Sequence, residues 1–153
     1  MVRELRGPLS APLPEALHIE EMDQTADAER LEWLLWQGFD HGSDREEFER
    51  QRSLPRIRRH FNKRLSLAAV DESGEGAACC CLWFLDRTDY AYVEPVCTVP
   101  AHRGKGLGKA ILHEAMNRAH ALGAQRAYVI SDQVFYEKLG FETDRRFTFY
   151  WKT

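Results

Sequence analysis

The middle of the chain carries its hydrophobic residues at the period of strands, and the regions on either side carry them at the period of helices. Residues 65–70 ("LSLAAV"), 76–85 ("GAACCCLWFL") and 90–99 ("YAYVEPVCTV") are apolar runs. They are separated by "DESGEG" and "DRTD", whose turn chemistry and length suit antiparallel hairpins, so the three form a meander. Ahead of them, "ALHIEEM" at residues 16–22 reads as a short strand. A helix follows from about Thr25, with Leu31, Leu34 and Leu35 on one face, Trp33 or Trp36 beside it and Gly38 as its stop. A second helix starts at Ser43, which has Glu46 three residues on, the spacing of a capping box. Beyond the meander, Leu107, Ala110, Ile111, Ala115, Ala119 and Leu122 form the apolar stripe of a helix closed by Gly123. "RAYVI" is then a strand parallel to the one before that helix. "DQVFYEKL" is a short helix stopped by Gly140, and "FETDRRFTFYWK" supplies the last one or two strands. The pattern predicts a mixed α/β domain of α+β type, with a mostly antiparallel sheet, one parallel pair and helices on both faces. Residues 1–16, which include "GPLSAPLP", read as an extended arm or linker remnant, and residues 17–153 as the domain.

Composition narrows this picture without changing it. With 153 residues, 44% of them hydrophobic, the chain fits one ordinary core and no second domain. A formal charge of -3 gives no global attraction to nucleic acid or anionic membrane. The basic stretch at residues 50–64 lacks interleaved aromatics and reads as a solvated helix and loop. No apolar run reaches the roughly 20 residues needed to span a bilayer, and residue 1 is not followed by the basic-then-apolar layout of a signal peptide. The expectation is a cytoplasmic protein with neither nucleic acid nor membrane as partner. Cys79, Cys80, Cys81 and Cys97 have neither a disulfide framework's spacing nor that of a zinc site, and read as buried, reduced, small hydrophobes.

The feature that needs a special explanation is "PAHRGKGLGKAILHEAM" at residues 100–116, where Gly104, Gly106 and Gly108 stand at alternate positions as a helix begins. Each glycine inside a helix costs about 1 kcal/mol against alanine. A Walker loop requires Ser or Thr after Gly-Lys, but Ala110 follows Lys109, so no hydroxyl is placed for magnesium. A dinucleotide fingerprint requires G-x-G-x-x-G, while this loop is G-x-G-x-G and lacks the acidic residue after the next strand. What remains is a strand, a tight glycine turn and a helix N-terminus whose free N–H groups face an anion, with Arg103 and Lys105 nearby. Such a site suits a pyrophosphate held without a metal. His102 and His113 are candidate phosphate or solvent contacts. No spaced histidine pair with a carboxylate suggests a metal.

"RGKGLG" at residues 103–108 fits the Q/R-x-x-G-x-G/A acyl-CoA motif, and "FYEKLGF" at residues 135–141 is similar to the C-terminal signature of the same family, the GNAT superfamily of N-acyltransferases. The two motifs stand in the family's order, separated by one helix and one strand. The arm and "EPVCT" also look like the C-terminal half of tandem members. The resemblance implies acetyl-CoA as acyl donor, lying in a V-shaped opening between the strand before the glycines and its parallel neighbour. Pro95 gives an independent reason to expect such an opening, because a mid-strand proline has no N–H for the ladder and favours a bulge.

By the same resemblance the diphosphate falls to Arg103, Gly104, Lys105, Gly106, Leu107, Gly108 and Lys109, and the pantetheine amides to the backbone of Cys97 and Val99. A backbone N–H near Val96 or Cys97 is the expected oxyanion donor. Tyr136 matches the tyrosine that gives a proton to the departing thiolate, with packing against the sheet as its plain alternative. Glu94, beside the proline, is the candidate base, with a surface charge as its alternative. His41 lies in the loop between the first two helices, where the family shapes its acceptor pocket. Ser131, Asp132 and Gln133 stand where many members carry a cofactor-contacting asparagine, with a helix N-cap at Ser131 or Asp132 as the plain and favoured alternative. The reaction implied is direct acetyl transfer to a primary amine on a small molecule or peptide. A non-catalytic acyl-CoA sensor or regulatory module is the competing reading. A homodimer through the C-terminal strand is a further expectation.

Overall fold

In the computed structural model the described residues are 1–23, 25–51, 62–146, 148 and 150. Ten elements follow in chain order: β1 (Val2–Glu4), β2 (Leu17–Glu21), α1 (Ala28–Gly38), α2 (Arg45–Gln51), β3 (Ser66–Asp71), β4 (Gly76–Phe84), β5 (Tyr90–Thr98), α3 (Leu107–Ala121), β6 (Arg126–Tyr128) and α4 (Val134–Lys138). The strands form one sheet in the order β1-β6-β5-β4-β3-β2. Every pairing is antiparallel except β5 with β6.

The central strands are apolar on both faces because both are covered. Along β3, Leu67 and Ala69 pack with Ile111, Leu112, Ala115 and Met116 of α3. Ala68 and Val70 pack with Met22, Leu34, Cys79 and Cys97, with Leu31 and Leu35 of α1 against that second cluster. The cysteine run alternates in the same way, Cys80 toward α3 and Cys79 toward α1, and all four cysteines are buried and outside any disulfide. They are core residues, as their spacing implied.

Three local features differ from the expectations. First, residues 1–16 are extended but do not stand apart from the domain. Val2 pairs with Tyr128 and Glu4 with Arg126, Leu5 is buried, and Leu9 exchanges two 2.8 Å hydrogen bonds with the Asn117 side chain on α3. The edge of β6 needs a partner, and apolar Met1, Leu5, Leu9 and Leu13 give this segment a buried side that its prolines obscure. Second, α2 is capped by Asp44, whose carboxylate accepts from the amides of Glu46 (2.9 Å) and Glu47 (3.1 Å), one residue later than the Ser43 box. Third, residues 141–146 form no strand; Glu142 makes an isolated bridge to Val2, and the expected dimer edge has no described strand. Most of the basic stretch at 50–64 lies outside the described residues.

The sheet opens where Pro95 predicted. The β4–β5 register passes from Cys80↔Val96 to Leu82↔Val93, so two residues of β5 oppose one of β4. The β5–β6 pairing ends at Tyr92↔Tyr128, leaving the last six residues of β5 without a strand partner on that side among the described residues.

Candidate active site

The gap beside β5 leads to the glycine loop. A short 3-10 turn, Pro100–His102, redirects the chain, and Gly104 (φ 76°) and Gly106 (φ 82°) take left-handed conformations that a side chain resists by about 1–2 kcal/mol. Gly106 is also the N-cap of α3 and offers no capping side chain. The first amide of the helix with an acceptor is that of Ala110, bonded to Gly106 O at 3.0 Å. The N–H groups of residues 104–109 therefore donate to nothing among the described residues. Gly108 has a different reason to be glycine: a Cβ there would lie 3.4 Å from both the Phe135 ring and Thr98 Oγ1, so the residue lets α3 approach β5 and α4. Six consecutive unpartnered amides at the positive end of a helix make an anion cradle. It fits a diphosphate, and the exposed Lys105 and Lys109 add charge beside it.

Alternation along β5 decides which of its main-chain groups face the gap. The Val99 amide donates to Ala77 O at 2.9 Å, and Cys97, two residues away, is paired with Cys79 on the same side. Cys97 and Val99 are thus turned to β4, contrary to the expectation for the pantetheine amides. The groups aimed at the gap are those of Val96 and Thr98. The Cys97 side chain points to α1, its Sγ 3.4 Å from that of Cys79. The bond between these thiols, together with burial, holds Cys79 well above the ordinary thiol range.

Glu94 lies at the bulge with an exposed carboxylate, which accepts from the Tyr92 hydroxyl at 2.5 Å, while its carbonyl accepts from Trp83 Nε1 at 2.8 Å. Burial, and then the bond to Glu94, push the Tyr92 phenol up, and Tyr136 stands near enough to contribute. Tyr92 was not singled out by its sequence, although its place two residues before Glu94 on one strand puts both on the same face. Tyr136 is 8% exposed, on α4 just past β6, its ring between Phe135 and Phe141. Burial, followed by the nearby Cys80, pushes its phenol up to about 12. Ile130 and Val134, both more than half exposed, mark the chain between β6 and α4 as an apolar rim.

The remaining candidates fall on either side. Arg103 is bound to Thr98 O, Gly38 O and the Asp40 carboxylate. His41 is exposed and stacks on Trp36 at 4.9 Å. His113 is buried beneath the arm, its Nδ1 3.2 Å from Ser10 O, and is not a phosphate contact. Neither Ser131 nor Asp132 caps α4; the N-cap is Gln133, whose amide is accepted by Ser131 Oγ at 3.2 Å. No cluster of three metal-ligating side chains occurs among the described residues.

Residues 27–141, from α1 through the "FYEKLGF" segment, match the model of the Acetyltransferase (GNAT) family. The chain belongs to that family. Its GNAT fold is shared with a GCN5-related N-acetyltransferase from Sphaerobacter thermophilus, with a TM-score of 0.70 and 20% identity. That alignment covers 91% of this chain but 45% of the other, so the chain spans less than half of that protein's length. An aminoglycoside acetyltransferase from an uncultured soil metagenomic sample aligns with a TM-score of 0.66 and 19% identity, over 90% of this chain and 99% of that one. A GNAT acetyltransferase from Brucella melitensis, solved in complex with acetyl-CoA, aligns with a TM-score of 0.59 and 21% identity, over 83% of each chain. No curated protein matches the chain by sequence. Membership in the GNAT family makes acetyl transfer the chemistry of the domain and acetyl-CoA its acyl donor.

Proposed function

We propose that the domain moves the acetyl group of acetyl-CoA to a primary amine by direct attack in a ternary complex. One observation carries the reading: six unpartnered amides open beside a sheet gap that has Glu94 on its β5 side and Tyr136 on the helix after β6.

The amides of residues 104–109, the end of α3 and Lys105 and Lys109 hold the diphosphate. The main-chain groups of Val96 and the N–H of Thr98, whose carbonyl already accepts from Arg103, bond the pantetheine amides as a neighbouring strand would, and the Val96 N–H faces the thioester oxygen as it gains charge. Glu94 takes the proton of the incoming ammonium, directly or through water, while the Tyr92 hydroxyl holds one carboxylate oxygen and leaves the other free. Tyr136 donates to the departing sulfur. A phenol at about 12 keeps its proton across the physiological range, and giving it to a thiolate whose ordinary thiol value is about 8.5 is uphill. Tyr136 therefore acts first as a hydrogen-bond donor, completing transfer only as the carbon–sulfur bond breaks. The aminoglycoside acetyltransferase among the structural neighbours makes aminoglycosides one amine class to try.

The test is coenzyme A release from acetyl-CoA in the presence of a panel of amines: aminoglycosides, polyamines, amino acids and peptides with a free N-terminus or lysine. Release that depends on an amine is expected. Tyr136→Phe should lower kcat about 100-fold while changing coenzyme A affinity less than about twofold. Tight coenzyme A binding with no release for any amine would favour a sensor module instead.

A further inference from the structure

Arg103 opens the glycine motif, yet its guanidinium is committed elsewhere. Nε donates to Thr98 O at 3.0 Å, and Nη2 donates to Gly38 O at 3.1 Å and lies 2.9 Å from the Asp40 carboxylate. The three acceptors belong to the end of β5, the end of α1 and the loop after it. Asp40 reaches the guanidinium from a left-handed conformation (φ 63°), the single positive φ outside glycine among the described residues. Aspartate enters this conformation more readily than most residues, and its exposed ion pair with Arg103 helps hold it there. The same turn is closed by the amides of Asp40 and His41, bonded to Gln37 O and Trp36 O, which brings the His41 ring onto Trp36.

We infer that Arg103 is a positioning residue for the acceptor side of the site, clasping the loop between α1 and α2 to the end of β5, rather than a ligand of the diphosphate. The inference rests on the amine-transfer reading above and on the family resemblance, which implies that the loop between the first two helices shapes the acceptor pocket. The cradle has six backbone donors and needs no guanidinium, whereas the end of α1, where Gly38 packs on Cys97, gains from Arg103 polar ties to Gly38 O and the Asp40 carboxylate. Nε and Nη2 are taken up by these three oxygens, so among the described residues Nη1 alone is left to meet an anion while the clasp holds. A lysine in its place has charge but no planar fork, so it cannot serve three divergent oxygens at once.

Arg103→Gln, Asp40→Asn, the double variant and Arg103→Lys separate the two roles. The measurements are coenzyme A affinity by calorimetry, hydrogen exchange at the amides of residues 38–42, and KM for acetyl-CoA and for the best amine of the panel. The clasp predicts that each single variant raises the amine KM about fivefold and speeds exchange at 38–42, that the double variant adds little, and that Arg103→Lys does not restore the amine KM. Coenzyme A affinity should stay within about twofold throughout. An Arg103→Gln loss of coenzyme A affinity beyond about tenfold, repaired by lysine and absent from Asp40→Asn, would make Arg103 a diphosphate ligand and overturn the inference. An amine KM unchanged in both single variants would overturn it too. If the wild-type protein binds coenzyme A but acetylates no amine, the transfer reading falls. The exchange rates and affinities then decide alone whether Arg103 clasps the loop.

Discussion

Gly38 shows how a single missing atom sets the position of a helix. A Cβ at this residue would lie 2.3 Å from Cys97 Sγ and 2.7 Å from Cys97 Cβ, both within the packed cluster between α1 and β5. Gly38→Ala should therefore destabilise the protein by about 1–3 kcal/mol through overpacking, and Cys97→Ala in the same chain should recover most of that loss. Urea unfolding of the two single variants and the double variant reads this directly; equal losses that simply add would show that α1 yields elsewhere. Gly38 was legible only as a helix stop, because its partner Cys97 lies on a distant strand. The same limit explains the misassignment of Cys97 and Val99. Sequence spacing places both on one side of β5, but only the register with β4 says which side that is. The amides of residues 104–109, by contrast, were legible because a local glycine spacing alone sets them free.

At the scale of elements, local chemistry and non-local pairing part company. The cap of α2 is local, and two residues competed for it. Asp44 prevails because its carboxylate reaches two amides, so Asp44→Ala should cost about 1 kcal/mol in chemical denaturation while Ser43→Ala costs little. The three meander strands, α1 and α3 were readable from period and turn residues, whereas the arm was not, since nothing in "GPLSAPLP" announces that β6 lacks a partner. The arm also carries a pH dependence. Burial holds the His113 imidazole below its usual value, opposed by the bond to Ser10 O, so the folded chain prefers the neutral ring. Below about pH 6.5 the unfolded chain takes up a proton that the folded chain resists, and stability falls as pH falls. Hydrogen exchange at residues 7–14 should accelerate between pH 7 and about pH 5 in the wild type. His113→Gln should flatten that dependence; an unchanged profile would mean that other groups cause it.

Across the whole molecule, the sheet joins two cores into one unit. Neighbouring residues of β3 and β4 alternate between the α3 and α1 clusters, so neither cluster can be exposed without breaking the strands that build the other. The mixed sheet and the motif order were legible as a fold class, but which segment closes each edge depends on contacts far apart in sequence. One cooperative unfolding transition is expected. A ligand that binds only the folded cradle should raise its midpoint. At a free coenzyme A concentration 100 times the dissociation constant, the stabilisation is about 2.7 kcal/mol, or roughly 5–11 °C for a domain of this size. Gly106→Val separates the cradle from the scaffold. A Cβ at Gly106 meets no protein atom within 4 Å, so the cost to the free protein is confined to its left-handed backbone, about 1–2 kcal/mol. The space it fills is the anion's. The variant should melt in one transition, slightly below the wild type, and gain nothing from coenzyme A. A full ligand shift in Gly106→Val would place the diphosphate away from these amides, and a split transition would show that the two cores unfold separately.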